Sequence, residues 1–184
     1  MLLFTSIPKT EEATPAELDL LLQEIAAGNR AALEALYRHT RPAVYGFALS
    51  ILKNAHDAED VLHDCYVAVW QAAGYRTQGK PMAWLMTITR NLCLQLLRQR
   101  QKTADLPEED WEPCLREPMS ITPEDRLVLA ACMERLSDEE RQIVALHAVS
   151  GFKHREIAAL LQLPLSTVLS KYRRALKKLK EYLQ

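Results

Sequence analysis

Residues 152–183 constrain the fold most tightly, because they read as a helix, a tight turn and a second, strongly basic helix. In the first helix Ile157, Ala158 and Leu161 recur at helical spacing, and the small side chain of Ala158 lets another helix cross closely. Gln162-Leu163-Pro164 then interrupts the pattern, since proline disfavours a helical residue before it and sits best at a helix entrance. Beyond the turn, Val168, Tyr172, Ala175, Leu176 and Leu179 line one face, while Thr167, Ser170, Lys171, Arg174 and Lys178 fall on another at about 100° per residue. One face packs and the other can enter a groove of DNA, which is the logic of a helix-turn-helix. The competing reading is an amphipathic hairpin whose basic face is merely solvated.

The rest of the chain also predicts an all-α fold. Glycine is sparse, with 5 in 184 residues, and no segment alternates as a strand would. The formal net charge of -1 would argue against a nucleic-acid binder if charge were evenly spread, but it is segregated. Between residues 76 and 102 stand Arg76, Lys80, Arg90, Arg98, Arg100 and Lys102 with no acid, and the last helix carries Lys171, Arg173, Arg174, Lys177, Lys178 and Lys180 against Glu181. Acids gather at 11–24, 57–64 and 105–117. The basic blocks are candidate DNA surfaces, and the acidic blocks are candidate partner-facing or linking segments.

No apolar run reaches membrane-spanning length and the apolar start at 1–4 is too short for a signal sequence, so a cytoplasmic protein without direct membrane insertion is expected. Cys65, Cys93, Cys114 and Cys132 lack metal-site or disulfide spacing. Cys65, Cys93 and Cys132 read as small core residues, while a redox pairing of Cys114 with Cys132 stays open. No metal and no cofactor are expected.

Two small helical domains are expected, joined by a proline-rich acidic linker. Thr14-Pro15-Ala16-Glu17 is a capping box that opens a first helix through about Ala27, and Asn29 caps a second, in which Pro42 predicts a kink. A third helix over 54–71 turns Val61, Leu62, Cys65, Val69 and Trp70 inward. After a loop over 73–80, a fourth runs from Pro81 to Gln101, buried through Trp84, Leu85, Ile88, Leu92 and Leu96. These helices form a domain over 1–102. The linker, 103–122, holds Pro107, Pro113 and Pro118 among acids. The C-terminal domain, 123–184, begins with a helix from Pro123 to Leu136, continues through a capping box at Ser137-Asp138-Glu139-Glu140, and ends in the helix-turn-helix.

Four motifs in this order resemble bacterial RNA polymerase sigma factors of the extracytoplasmic-function (ECF) type. They are Asp57-Ala58-Glu59-Asp60-Val61-Leu62-His63-Asp64; Tyr75-Arg76 with Ala83-Trp84-Leu85 and Arg90-Asn91-Leu92; Leu136-Ser137-Asp138-Glu139-Glu140-Arg141; and Glu156-Ile157-Ala158 followed by Ser166-Thr167-Val168-Leu169-Ser170 and Arg174-Ala175. The likeness spans about Glu24 to Leu183.

The resemblance implies partners and roles. Asp57, Asp60, His63 and Asp64 would share an outward face of the third helix that docks on the clamp helices of core RNA polymerase. Tyr75, Arg76, Gln78 and Lys80 on the loop, with Arg90, Asn91 and Arg98 on the fourth helix, would receive the melted non-template strand of the minus-10 element. Trp84 would join them as a stacking platform, although its spacing from Leu85 and Ile88 equally suits a core anchor. Thr167, Ser170, Lys171 and Arg174 would read duplex DNA at the minus-35 element, with Arg173, Lys177 and Lys178 on phosphates. The family also implies an anti-sigma protein as partner. The chain departs from the usual pattern at His63-Asp64, Pro81-Met82, Gln95, Gln162, Leu169 and Lys171.

Two readings from other classes compete. A helix-turn-helix regulator that is not a polymerase subunit would bind duplex DNA alone as a dimer, and it leaves the basic block beside Trp84 without a task. His56, Asp60 and Asp64 stand at four-residue steps, as a metal-dependent phosphohydrolase would place ligands. No nucleophile, phosphate loop or acid/base pair accompanies them, so catalysis is not expected.

Overall fold

The computed structural model describes residues 13–72, 75, 79–103, 131 and 133–182. Among these residues lie seven helices and no strand: α1 (Pro15–Ala26), α2 (Arg30–Leu52), α3 (Ala55–Gln71), α4 (Pro81–Thr103), α5 (Asp138–Ala148), α6 (His154–Leu161) and α7 (Leu165–Tyr182). The fold is all-α, as composition and periodicity require. Cys114, the linker and most of the helix expected after Pro123 lie outside the described residues, as do Cys132, Arg76 and Gln78.

Local chemistry sets where the helices start. At α1 the Thr14 hydroxyl accepts from the Glu17 N–H at 3.2 Å while the Glu17 carboxylate accepts from the Thr14 N–H at 2.7 Å. Asn29 caps α2 by accepting from the N–H groups of Ala31 and Ala32. At α5 Ser137 and Glu140 repeat the reciprocal box. Helix α2 runs unbroken through Pro42. The ring removes the donor that would meet the carbonyl of Arg38, but both residues are exposed, so water can satisfy that carbonyl.

The core gathers around α2, whose Leu36, Val44, Phe47 and Ala48 are fully enclosed. Helices α1, α3 and α4 pack on it, bringing Leu22, Ala58, Cys65, Leu85 and Met86 to the same interior. Buried polar groups are satisfied within it: Thr40 donates to the Leu36 carbonyl or shares its proton with the Tyr66 hydroxyl 2.6 Å away, and Thr89 donates to the Leu85 carbonyl at 2.9 Å. Burial pushes the Cys65 thiol up to about 11 and that of Cys93 upward as well, so both behave as small apolar fillers.

Two expected faces are corrected. The fully enclosed line of α4 is Leu85, Met86, Thr89 and Cys93, with Trp84, Ile88, Leu92 and Leu96 only partly covered. The face is rotated because Thr89 satisfies its hydroxyl inside its own helix and can then be buried. Trp70, expected inside, is 37 % exposed at the end of α3.

The halves of the chain do not stand apart. Helix α5 lies along α2, α6 meets α4, and a single apolar cluster runs from α1 through Ile143, Leu146, Phe152, Ile157 and Val168. Gly46 lies at this contact, where a β-carbon would meet Val149 at an ordinary 3.6 Å. Lys53, which ends α2 in the left-handed conformation at φ 57°, reaches Asp138 at 3.1 Å. A smaller cluster of Leu136, Ala175 and Leu179 holds α7 to the segment before α5.

Candidate nucleic-acid and partner interfaces

The turn between α6 and α7 is built as the sequence requires. Gln162 takes the left-handed conformation at φ 58°, its N–H meets the Ala159 carbonyl, and the Leu163 N–H returns to the Ala158 carbonyl at 3.0 Å. This closure absorbs the last carbonyls of α6 without a glycine. Pro164 follows, its carbonyl accepting from Val168 in the first turn of α7. Ile157, Ala158 and Leu161 on α6 share one buried cluster with Val168 on α7, while Ala175 and Leu179 pack against Leu136, so the orientation of α7 is fixed by packing on two sides.

The outward side of α7 separates into two sets of cations. Ser170, Arg173, Arg174 and Lys177 are exposed, with Thr167 half-buried beside them. Lys171 and Lys178 are instead tied to the first turn of α5, at 2.6 Å from Glu139 and 2.6 Å from Glu140 respectively. Burial alone would raise the Glu140 carboxyl, but hydrogen bonds from Lys178 and Ser137 override it and hold the group below the ordinary carboxylate range. The two lysines thus tie α7 to α5, a role the sequence reading did not assign them.

The start of α4 and the residue before it form a second surface. Lys80, Asn91 and Arg98 are exposed, and Trp84 lies half-buried on the same side, the positions following one another at helical steps of four and seven residues. Tyr75 packs against Trp84 with ring centroids 4.9 Å apart and planes tilted by 59°. Its hydroxyl donates to the carboxylate of Asp19 on α1. Burial, with that carboxylate adding to it, pushes the Tyr75 hydroxyl well above the ordinary phenol value. Arg90 does not join this group. It lines a cleft with Ile51, Leu94, Glu139, Gln142 and Leu161, where α2 and α4 face the C-terminal half.

Helix α3 carries the third surface, and here the expected set must be divided. Asp60, His63 and Asp64 are exposed on one face. Asp57 is not among them: it is 3 % exposed, and both of its carboxylate oxygens accept from the guanidinium of Arg100 on α4. A bidentate pair of this kind ties the start of α3 to the end of α4 and removes Asp57 from any outside partner. In its place stand Val67 and Trp70, 38 % and 37 % exposed, about two and three turns along from Asp60. Sequence reading missed them because their spacing also fits a buried stripe, yet Val67 lies seven residues from Asp60 and so on the acidic face.

The phosphohydrolase alternative finds no support in this geometry. Among the described residues, no three His, Cys, Asp or Glu side chains are placed to hold a metal ion, and His56, Asp60 and Asp64 project into solvent. Among the same residues no helix is long and apolar enough to cross a membrane.

Comparison with known proteins matches both halves. Residues 36–103 match the family model of sigma-70 region 2, and residues 126–179 match that of sigma-70 region 4. The chain is 30% identical over 175 residues to the ECF RNA polymerase sigma factor SigK of Mycobacterium ulcerans (strain Agy99), covering 91% of this chain and 94% of that protein. It is 29% identical over 177 residues to SigK of Mycolicibacterium vanbaalenii, covering 91% of this chain and 90% of that protein. Among solved structures it is similar to CnrH in complex with the cytosolic domain of CnrY, with a TM-score of 0.64 at 26% identity over 91% of this chain and 97% of that one. The sigma factor RpoE in complex with the anti-sigma factor NepR from Bartonella quintana gives a TM-score of 0.62 at 25% identity over 91% of this chain and 94% of that one. With region 2 carrying the acidic and aromatic surfaces and region 4 the helix-turn-helix, the chain belongs to the ECF family of RNA polymerase sigma factors.

Proposed function

We propose that this initiation factor, which directs RNA polymerase to promoters, divides its work among three exposed surfaces on α3, α4 and α7. The observation that carries this reading is their separation: each lies on a different helix of one packed body, and each has a different chemistry. Asp60, His63 and Asp64, with Val67 and Trp70 beside them, dock on the core polymerase. Acids give orientation and encounter rate, while the apolar pair supplies area that gains from leaving water.

Promoter opening falls to the surface around Tyr75 and Trp84, with Lys80 just before α4 and Asn91 and Arg98 along it, joined by Arg76 and Gln78, which stand between Tyr75 and Lys80 in the sequence. Cations attract the strand and neighbouring polar groups hold bases that have left the stack. Arg90 reaches this strand only if the C-terminal half moves off the cleft it lines. Duplex reading at the minus-35 element falls to Thr167, Ser170 and Arg174, with Arg173 and Lys177 on phosphates. Lys171 and Lys178 hold α7 at its angle to α5 and contribute charge rather than base contacts.

The chain acts in the cytoplasm without catalysing a reaction itself, in two functional domains over 1–102 and 123–184 joined by the segment 103–122. An anti-sigma protein restrains it, as suggested by the similar sigma factor RpoE, which is found in complex with the anti-sigma factor NepR. The test is footprinting of a promoter by polymerase reconstituted with this chain. Upstream protection should weaken selectively with Arg174→Ala, and strand opening should weaken selectively with Trp84→Ala; equal loss of both signals from either substitution would contradict the division.

A further inference from the structure

Asp19 is a carboxylate where α1 otherwise buries only Leu18, Leu22 and Ile25, and at 6 % exposed it is nearly sealed. An ionised group in such a place is costly unless it is hydrogen-bonded, and an apolar residue would pack α1 against its neighbours at less expense. What Asp19 has there is the hydroxyl of Tyr75, which donates to its carboxylate across 56 residues of sequence. Tyr75 is fixed a second time by its ring, 4.9 Å from that of Trp84. Tyr75 is therefore tied to two helices, to α1 through its hydroxyl and to α4 through its ring.

We propose that Asp19 is a positioning residue for promoter opening: from α1 it anchors Tyr75, and so holds the Tyr75–Trp84 ring pair in the arrangement that receives the melted strand. This rests on the reading that Tyr75, Trp84 and the loop residues contact that strand. The physical gain is preorganisation. An aromatic pair already held in place loses less freedom when a flexible strand binds beside it, so more of the contact energy appears as affinity. Asp19 touches no DNA and acts only through the tyrosine.

The test uses the full-length chain assembled with core polymerase, and a single-stranded oligonucleotide carrying the minus-10 non-template strand of a promoter selected by the unsubstituted holoenzyme. Asp19→Ala and Tyr75→Phe should each weaken strand binding about tenfold, the loss expected for a hydrogen bond to a buried charged group. The double substitution should weaken it no further, because each removes the same contact. Asp19→Asn keeps an acceptor oxygen and should stay within about threefold of the original chain. Affinity for core polymerase and the unfolding temperature are measured alongside. Strand binding by Asp19→Ala equal to that of the original chain overturns the proposal, and so does a parallel loss of core affinity, which marks a general folding defect. Arg76→Ala combined with Gln78→Ala separates the two levels: if that variant loses strand affinity while Asp19→Ala does not, only the anchoring role fails. If the loop variant binds normally, the strand-capture reading fails and the proposal falls with it.

Discussion

The ammonium group of Lys53, at the end of α2, lies 3.1 Å from the carboxylate of Asp138 at the start of α5, joining region 2 to region 4. Burial acting alone would raise the Asp138 carboxyl, but Lys53 and Arg141 together hold it below the ordinary value. The Asp138 side chain is nevertheless 64% exposed, so water screens the pair. Lys53→Ala should cost under about 1 kcal/mol, and small-angle scattering should show the two halves still together. The apolar seam of α2 with α5 does most of the joining, and separation of the halves in that variant would show otherwise.

Gly46 gives the complementary prediction. It sits inside α2, where glycine is a poorer helix former than alanine by about 1 kcal/mol, and an added β-carbon would meet Val149 at an ordinary 3.6 Å. Gly46→Ala should therefore raise stability by up to about 1 kcal/mol in denaturant unfolding. A loss of stability would mean that the seam has no room for one more methyl group.

Acids on α3 should divide sharply by role. Arg100→Ala leaves the buried Asp57 carboxylate without its guanidinium and should destabilise region 2 by about 3 kcal/mol, seen as a lower midpoint in urea. Asp60→Arg, on the exposed face, should leave that midpoint nearly unchanged while sharply reducing affinity for core polymerase. Equal stability losses from both would place Asp60 in the internal network.

On α7 the exposed and braced cations should also behave differently. Arg174→Ala should weaken recognition of a duplex minus-35 element by about 1 to 3 kcal/mol while stability holds. Lys178→Ala removes the partner of a nearly buried carboxylate and should lower the stability of region 4. Its promoter preference should be retained in competition with unrelated DNA, which a base-reading lysine would not allow.

A pH dependence follows from the rings of His147 and His154, stacked with centroids 4.5 Å apart and both meeting Tyr172 edge-on. Burial, and then the neighbouring His147, lowers the pKa of His154 from its usual 6.5. The folded imidazole resists a proton that the unfolded one accepts, so the stability it contributes is full above 6.5 and declines as pH falls from there toward the lowered folded value. Thermal unfolding between pH 7.5 and 5.5 should show this slope, and His154→Gln should flatten it. An unchanged slope in the variant would assign the titration elsewhere.

Much of the fold was legible because its punctuation is local. Thr14 with Glu17, Asn29, Ser137 with Glu140, and Gln162-Leu163-Pro164 each satisfy backbone groups within a few residues, so their meaning does not depend on distant parts of the chain. The illegible parts are those decided by long-range partners. Asp57 resembles any acid in a first helical turn until Arg100 arrives 43 residues later. Lys171 and Lys178 show no sign of an internal partner in the sequence until α5 presents Glu139 and Glu140. The rotation of α4 turned on Thr89, a polar residue that is buried because it satisfies itself, and the packing of α5 along α2 has no signature in either segment alone.

The most direct test of the central claim is run-off transcription by purified core polymerase on a promoter library, with and without this chain. A selected set of start sites should appear only when the chain is present, should shrink to promoters with strong minus-10 elements for Arg174→Ala, and should disappear for Asp60→Arg. Site-selected transcripts that are equally abundant without the chain, or none on any template with it, would contradict the account.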